Sequence, residues 1–186
     1  MSFQFTAPSR PFLLTLLACQ FAAASTFATE LDLGVNDDVV SAQVTADLNS
    51  RLNASVGYLY SDDAGQLLQG ALHMKHDAGR HHFEFGAQMS TVWADHSPNG
   101  TVIGLGGRYA LDLGSNLSFH AAGYYAPSVL SFNDIDGFYQ LETKLQYDLN
   151  QDMGFYLGYR NIRFEYDNAR DATFENGLFL GANIRF

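Results

Sequence analysis

The last ten residues of the chain, 177–186, constrain its fold more than any other stretch. Their apolar members share one parity: Leu178, Leu180, Ala182, Ile184 and Phe186. A period of two over about ten residues predicts a β-strand with one apolar face. Because that face ends on a carboxyl-terminal Phe, the segment is typical of the closing strand of an outer-membrane β-barrel, with lipid on one face and a polar lumen on the other.

The first 28 residues differ from the rest in composition. Arg10 is their only charged residue, and an apolar run ending in small residues follows it. This pattern predicts a secretory signal peptide over 1–28, cleaved after Ala28, and an outer-membrane β-barrel domain over 29–186.

A lipoprotein signal is the less favoured reading of the leader. Leu16-Leu-Ala-Cys19 resembles a lipobox, but processing there would leave the apolar run after Gln20 on the mature chain. Cleavage after Ala28 instead removes Cys19, the only cysteine, so disulfides and thiolate metal sites are excluded. The same cleavage leaves a mature chain with all 20 acidic residues and with the 10 basic residues less Arg10, so the mature chain is acidic.

Nine further alternating segments precede the last one. The clearest runs from Tyr139 to Tyr147, where Tyr, Leu and Thr alternate with Gln, Glu and Lys. Beyond the leader, no run is apolar for the roughly twenty residues that a membrane helix needs, so a membrane protein of mean hydropathy -0.10 requires a closed sheet. The sequence predicts an all-β, antiparallel transmembrane β-barrel of about ten strands. The short first connection, 36–38, leaves eight strands with an irregular start as an alternative.

The connections between these segments alternate in length. Those after even-numbered segments are short, at 49–50, 77–80, 112–116 and 150–152, and those after odd-numbered segments are longer, at 61–65, 94–100, 126–137 and 165–175. Outer-membrane barrels have short periplasmic turns and longer external loops. We therefore expect a bacterial outer-membrane location in a Gram-negative cell envelope, with both termini periplasmic.

Parity divides the notable side chains into two sets. Aromatic residues near the ends of the outward stripes predict interfacial girdles: Tyr58, Tyr60, Trp93, Tyr109, Tyr125, Tyr139, Tyr147, Tyr159 and Phe186. The inward set predicts a polar network in the lumen: His73, Glu84, Arg108, His120, Glu142, Lys144 and Arg160. A soluble lipocalin-like barrel would reverse these faces, placing charge outside.

Hairpin registers follow from the short turns, since partner numbers sum to a constant across an antiparallel pair. The predicted pairs are His76 with His81, Lys75 with His82, His73 with Glu84, Arg108 with His120, and Glu142 with Arg160. The charged residues among them have two interpretations, a lumenal relay or ligand site and a charge-neutralising plug. The plug is favoured because charges in a narrow barrel must be paired whatever the function.

Several segments resemble the YfaZ family of outer-membrane proteins. They are Tyr60-Ser-Asp-Asp-Ala-Gly65, Gly104-Leu-Gly-Gly-Arg-Tyr109, Tyr124-Tyr-Ala-Pro127, Gly158-Tyr-Arg-Asn-Ile162, Asn168-Ala-Arg-Asp171 and the terminal Gly-x-x-x-Gly-x-x-x-x-Phe pattern. The resemblance runs over most of the mature chain in the right order. It implies a small outer-membrane barrel and brings little mechanism.

The sequence offers little for catalysis or metal binding. His81 and His82 are adjacent and point to opposite faces, and the predicted His76–His81 pair lacks a third ligand nearby. Ser128 or Ser131 beside His120 would imitate the arrangement of outer-membrane lipid hydrolases, but no His-x-Ser or Gly-x-Ser-x-Gly motif occurs. We therefore predict no catalytic residue, no metal and no cofactor.

These observations predict a small porin-like barrel, non-enzymatic, with a plugged or narrowly conducting polar lumen. An outer-membrane lipid-modifying enzyme and a surface interaction protein acting through external loops are the alternatives. The expected surroundings are outer-membrane lipid and lipopolysaccharide around a monomer, and the acidic loops exclude nucleic acid as a natural partner.

The final strand is also the expected contact with the barrel-assembly machinery, as the family resemblance implies. Deletion of Phe186 is therefore expected to impair assembly before any activity. The fraction of heat-modifiable protein in the outer membrane measures this, with Phe132→Ala as a control that leaves the terminal strand intact. Normal insertion of the truncated chain would contradict this role for the strand.

Overall fold

The computed structural model describes residues 29–167 and 170–186, so the predicted signal peptide and the lipobox alternative lie outside the described residues. The strands are β1 Glu30–Val35, β2 Val39–Asn49, β3 Leu52–Ser61, β4 Gly65–Ala78, β5 His81–Trp93, β6 Gly100–Gly114, β7 Leu117–Ala126, β8 Ser131–Asn133, β9 Ile135–Asp148, β10 Met153–Tyr166 and β11 Ala172–Arg185. A single 3-10 turn, Ser128–Leu130, precedes β8. No helix in the described part of the chain is long and apolar enough to cross a membrane.

Ten of these strands close into an antiparallel barrel. Each of these ten strands pairs with the next one along the chain, with β7 pairing directly with β9. The pairing of β1 with β11 closes the ring. The short β8 pairs only with the start of β6, outside this cycle. The prediction of about ten strands is confirmed, and the eight-strand alternative is wrong because the short connection 36–38 does join two barrel strands.

Alternation along the strands sets the two faces of the wall. Large apolar side chains point outward and are exposed, among them Leu72, Phe85, Leu105, Phe155 and Leu180. Their neighbours in sequence point inward and are mostly buried, with polar residues prominent among them. This arrangement is the reverse of a soluble barrel, and an apolar outer belt matches a lipid environment.

Two hairpin registers differ from the predicted ones by two residues. Lys75 pairs with Glu84 and His73 with Gly86, because the β4–β5 turn is only Gly79-Arg80, with Gly79 at φ +68°. The predicted facing pairs His76–His81, Lys75–His82 and His73–Glu84 are therefore wrong. Likewise His120 pairs with Ala110 rather than Arg108. A shift of two keeps parity, so every side chain stays on its predicted face.

The two ends of the barrel differ. We call the end that carries the first and last described residues and the short turns the turn end, and the opposite end the loop end. At the loop end, the predicted loop 165–175 is largely strand, because β10 continues to Tyr166 and β11 begins at Ala172. The predicted loop 126–137 folds into the 3-10 turn and β8.

Candidate functional site

One polar cluster lies on the wall formed by β3 to β7. Arg108 Nε donates to Glu84 Oε2 at 2.6 Å, and Arg108 Nη2 donates to Asn53 Oδ1 at 3.2 Å. Asn53 Nδ2 donates to the second Glu84 oxygen at 2.7 Å. The ring of His73 lies between Arg108 Nη2, 3.3 Å from Nδ1, and Tyr124 Oη, 2.7 Å from Nε2. Because arginine only donates, Nδ1 accepts and the Nε2 proton is directed at Tyr124.

A second cluster faces it from β1, β9, β10 and β11. Its charges alternate in sign along the order Asp32, Lys144, Glu142, Arg160 and Glu175. The N···O separations in that order are 3.3, 3.4, 2.5 and 3.1 Å. The side chains of Arg160 and Glu175 are only 9% and 2% exposed. Each charge in this second cluster therefore has at least one opposite neighbour, as buried charges require.

Two aromatic rings pack against the cations of the second cluster. Arg160 Cζ lies 4.2 Å from the centroid of the Phe179 ring, and Lys144 Nζ lies 4.8 Å from the centroid of the Tyr156 ring. Gly158 makes room for one of them, since a Cβ there would lie 2.6 Å from Phe179 Cε1. The small residue in β10 thus lets a ring and a guanidinium stack inside a narrow lumen.

A cavity of about 440 Å³ lies between the two clusters and reaches the turn end. Its walls include Asp32, Glu84, Arg108, Lys144 and Arg185. Toward the loop end it meets a layer of amides, in which Gln69 Nε2 and Gln88 Nε2 both donate to Gln140 Oε1, at 2.7 and 2.9 Å, and both contact Ser90 Oγ.

Beyond the amide layer the lumen is apolar. On each strand, the inward side chain one step closer to the loop end is apolar and 0–1% exposed. These side chains are Leu67 next to Gln69, Val92 next to Ser90, Phe138 next to Gln140 and Ile162 next to Arg160. We call the buried apolar residues of this half the apolar plug: Val39, Leu59, Leu67, Val92, Val102, Ala126, Ile135, Phe138, Ile162, Phe164, Tyr166 and Phe174. The expectation of a polar lumen is therefore wrong for this half of the barrel.

The signal for the plug is present in the sequence. Near the loop end, consecutive apolar residues such as Leu67-Leu68 and Val102-Ile103 occupy both faces. In β10 the polarity of the faces inverts, with Ile162 and Phe164 inward and Arg163 outward. Such segments extend the wall beyond the apolar belt, where polar side chains face water and the interior must be filled as in a soluble barrel.

The structure places all seven predicted lumen residues inside the barrel, divided between the two clusters except for His120. His120 Nε2 lies 2.9 Å from Ser118 Oγ near the turn end. Glu175, predicted to lie in an external loop, is instead a buried member of the second cluster. Glu175 has the inward parity of β11, and a bulge opposite Ile162 and Arg163 turns its neighbour Phe174 inward as well, which simple alternation does not predict.

The predicted girdle residues lie on the outer face. Trp93, Tyr125 and Tyr147 are 44%, 60% and 51% exposed. Phe186 is 66% exposed at the turn end, and its N–H donates to the Thr29 carbonyl at 3.2 Å. Tyr109 Oη contacts His81 Nδ1 at 2.8 Å at the same end. The remaining members face the same surface: Tyr58, Tyr60, Tyr139 and Tyr159.

Other candidate chemistry residues are not brought together. Ser128 and Ser131 lie at the loop end, and His120 lies near the turn end. Ser131 Oγ donates to the Pro127 carbonyl at 3.1 Å. His82 contacts Asp77 at 2.7 Å and Asp112 at 3.5 Å. Among the described residues, no three His, Cys, Asp or Glu side chains are grouped so as to hold a metal ion.

The family model described as YfaZ precursor matches residues 12–186 of the chain. No curated protein sequence matches the chain.

Among solved structures, the chain is similar to the NanC porin, with a TM-score of 0.53 and 14% identity over 86% of this chain and 100% of that one. The KdgM porin matches with a TM-score of 0.47 and 12% identity, over 86% of this chain and 99% of that one. The outer membrane channel DcaP of Acinetobacter baumannii matches with a TM-score of 0.48 and 12% identity, over 83% of this chain and 54% of that one. The present chain therefore spans about half the length of the DcaP chain. The likeness to NanC shows a shared barrel fold.

Proposed function

The chain belongs to the YfaZ family of outer-membrane barrel proteins, and we propose that it is a non-enzymatic envelope protein whose lumen is closed to solutes. The observation that carries this proposal is the apolar plug. Its side chains pack across the lumen on the loop-end side of the amide layer, with Leu67, Val102 and Ile162 each at 0% exposure. A dry apolar constriction excludes water and therefore hydrated ions.

The polar half of the lumen supports the same proposal. Its charges are held in two clusters in which each charge contacts one of opposite sign, so they do not present a single sign to a passing ion. The amide layer of Gln69, Gln88 and Gln140 closes the inner end of the cavity. The cavity is then a blind vestibule that opens only at the turn end.

Ion conduction tests the closed lumen. We expect purified protein in planar lipid bilayers to give no discrete openings, because the plug offers no continuous path for water. The comparison is a recording of a general porin under the same voltage and salt. Regular single-channel steps from the wild-type protein would overturn the proposal.

The vestibule faces the periplasm in this proposal, with the acidic loop end outside near lipopolysaccharide. This is supported by the short turns at the end that carries both described termini. Single cysteines at Asp134 and Gln151, which lie at opposite ends, test it in intact cells. A membrane-impermeant maleimide should label the Asp134→Cys variant and spare Gln151→Cys until the outer membrane is opened. The reverse labelling would contradict the assignment.

The non-enzymatic part of the proposal is supported by the surroundings of Ser118. Its hydroxyl meets His120, the pairing that a serine hydrolase uses. However, Ser118 is 7% exposed and is not among the residues that line the vestibule, whereas His120 is. A substrate in the vestibule would meet the imidazole and not the hydroxyl, so the contact serves to satisfy a half-buried histidine.

A further inference from the structure

An open strand edge lies in the wall at the loop end. The pairing of β1 with β11 ends at Val35 opposite Leu180, while β11 continues to Ala172. Asn36 fixes this ending, because its Oδ1 accepts from the N–H groups of Asp38 at 3.0 Å and Val39 at 2.6 Å. The β1–β2 hairpin therefore turns back, and among the described residues no strand pairs with residues 172–179 of β11 on that side, where the Asn36 side chain donates to Glu175 Oε1 at 2.8 Å.

The backbone direction along this edge follows from alternation. Phe186 donates its N–H to Thr29 next to β1, and Arg185 donates to Asp152 next to β10. Even-numbered residues therefore direct their backbone groups toward the β1 side as far as the bulge at Phe174. Within the described chain, the N–H and C=O groups of Leu178 and Asn176 have no partner there.

A second cavity, of about 600 Å³, runs along this edge. One of its sides is residues 172–178, and its inner wall includes Val92, Phe164 and Phe174 of the plug. The carboxylates of Asp37, Asp38 and Asp63 lie on the opposite rim, and no lysine or arginine lines the cavity among the described residues. We call this cavity the edge groove.

We propose that the edge groove binds an extended basic peptide segment of a partner by adding it as a strand to β11. Unpaired strand edges recruit extended chains through main-chain hydrogen bonds. Alternate side chains of the added strand would face the apolar wall at Phe164 and the acidic rim at Asp37. The partner segment therefore alternates apolar and basic residues.

The charge and hydrogen-bonding character of the groove distinguishes this occupant from lipid. An acyl chain leaves the backbone groups of Leu178 and Asn176 unpaired, and lipid phosphates are repelled by the carboxylates at Asp37, Asp38 and Asp63. The edge also lies at the border of the apolar belt, since Leu178 is 66% exposed and the next outward side chain is Asn176. A peptide in water can therefore reach it.

A labelled peptide with the sequence Lys-Val-Lys-Val-Lys-Val tests the proposal by fluorescence anisotropy with the full-length mature protein in lipid nanodiscs. We expect saturable binding that weakens about tenfold when alternate peptide nitrogens are methylated, because two main-chain hydrogen bonds are lost. Leu178→Pro should weaken it similarly, since this N–H faces the open edge and not β10. Leu178→Ala, which keeps the N–H, should bind like wild type.

Three outcomes would overturn the proposal. Equal binding of the methylated peptide would show attraction by charge alone, and absence of saturable binding would show that the edge is not a peptide site. A dimer that Leu178→Pro dissociates would assign the edge to a second copy of the chain. Heat-modifiability on gels verifies that each variant is folded, and none of these outcomes depends on whether the lumen conducts.

Discussion

The substitution Arg160→Met is expected to lower the free energy of unfolding by about 3–5 kcal/mol, the usual cost of removing one partner from a buried ion pair. Arg160 contacts Glu142 at 2.5 Å and Glu175 at 3.1 Å, and these carboxylates are 14% and 2% exposed. Without the guanidinium, both would keep their negative charge in a poorly solvated lumen or take up protons at a cost. Urea unfolding in lipid vesicles, followed by the fluorescence of Trp93, measures the change.

Arg163 offers a matched control on the same strand. It points outward, and its Nη2 lies 2.6 Å from Asp171 Oδ2. The side chains of Arg163 and Asp171 are each 40% exposed. Its hydrogen bond lowers the pKa of the Asp171 carboxyl below the ordinary value, yet water already solvates both charges. We therefore expect Arg163→Met to leave the urea midpoint nearly unchanged.

A triple variant separates lost charge pairing from lost packing. Arg160→Met combined with Glu142→Gln and Glu175→Gln removes the uncompensated charges, so it should regain part of the stability lost in the single variant. The Met side chain still covers the Phe179 ring, which lies 4.2 Å from the guanidinium. Wild-type stability of Arg160→Met would show that the second cluster is hydrated and would overturn its description as a buried ion-pair chain.

The Glu142–Arg160 pair shows how far sequence reasoning reaches. The β9–β10 turn was short and regular, so the constant-sum rule gave the correct partner. The β4–β5 and β6–β7 turns have left-handed residues at Gly79 and at Ser115 and Asn116. These shorten or bulge the hairpin and move the register by two, which alternation alone cannot detect because the faces are unchanged.

Glu175 and the apolar plug were missed for a related reason. The period-two interpretation assumed that each strand ends where its outward side chains stop being apolar. β10 and β11 continue beyond that point toward the loop end. There the faces exchange polarity, and a bulge at Phe174 resets the parity of the β11 residues that precede Glu175. The position of the edge groove depends on how much of β11 the shorter β1 leaves unpaired, and only the three-dimensional pairing reveals this length.

Because we propose that the apolar plug closes the lumen, opening the plug is expected to make the protein conduct ions. Phe138 and Phe164 pack with ring centroids 4.9 Å apart and are each 1% exposed. Replacing both by serine removes two rings and adds hydroxyl groups, so water can enter from the amide layer at Gln140 toward the loop end. We expect discrete single-channel steps in planar bilayers from the Phe138→Ser, Phe164→Ser double variant.

The control for this experiment changes apolar residues outside the lumen. Val129 and Phe132 are 82% and 47% exposed at the loop end, and the double serine variant at these positions should stay silent. Both proteins must first show heat-modifiable folding, since large core truncations cost stability. A folded but silent Phe138→Ser, Phe164→Ser variant would show that the plug rings are not the barrier. The remaining barrier would then be the layer of Gln69, Gln88 and Gln140 with the charges beside it, and truncating Gln140 in the double serine variant would be expected to produce conduction.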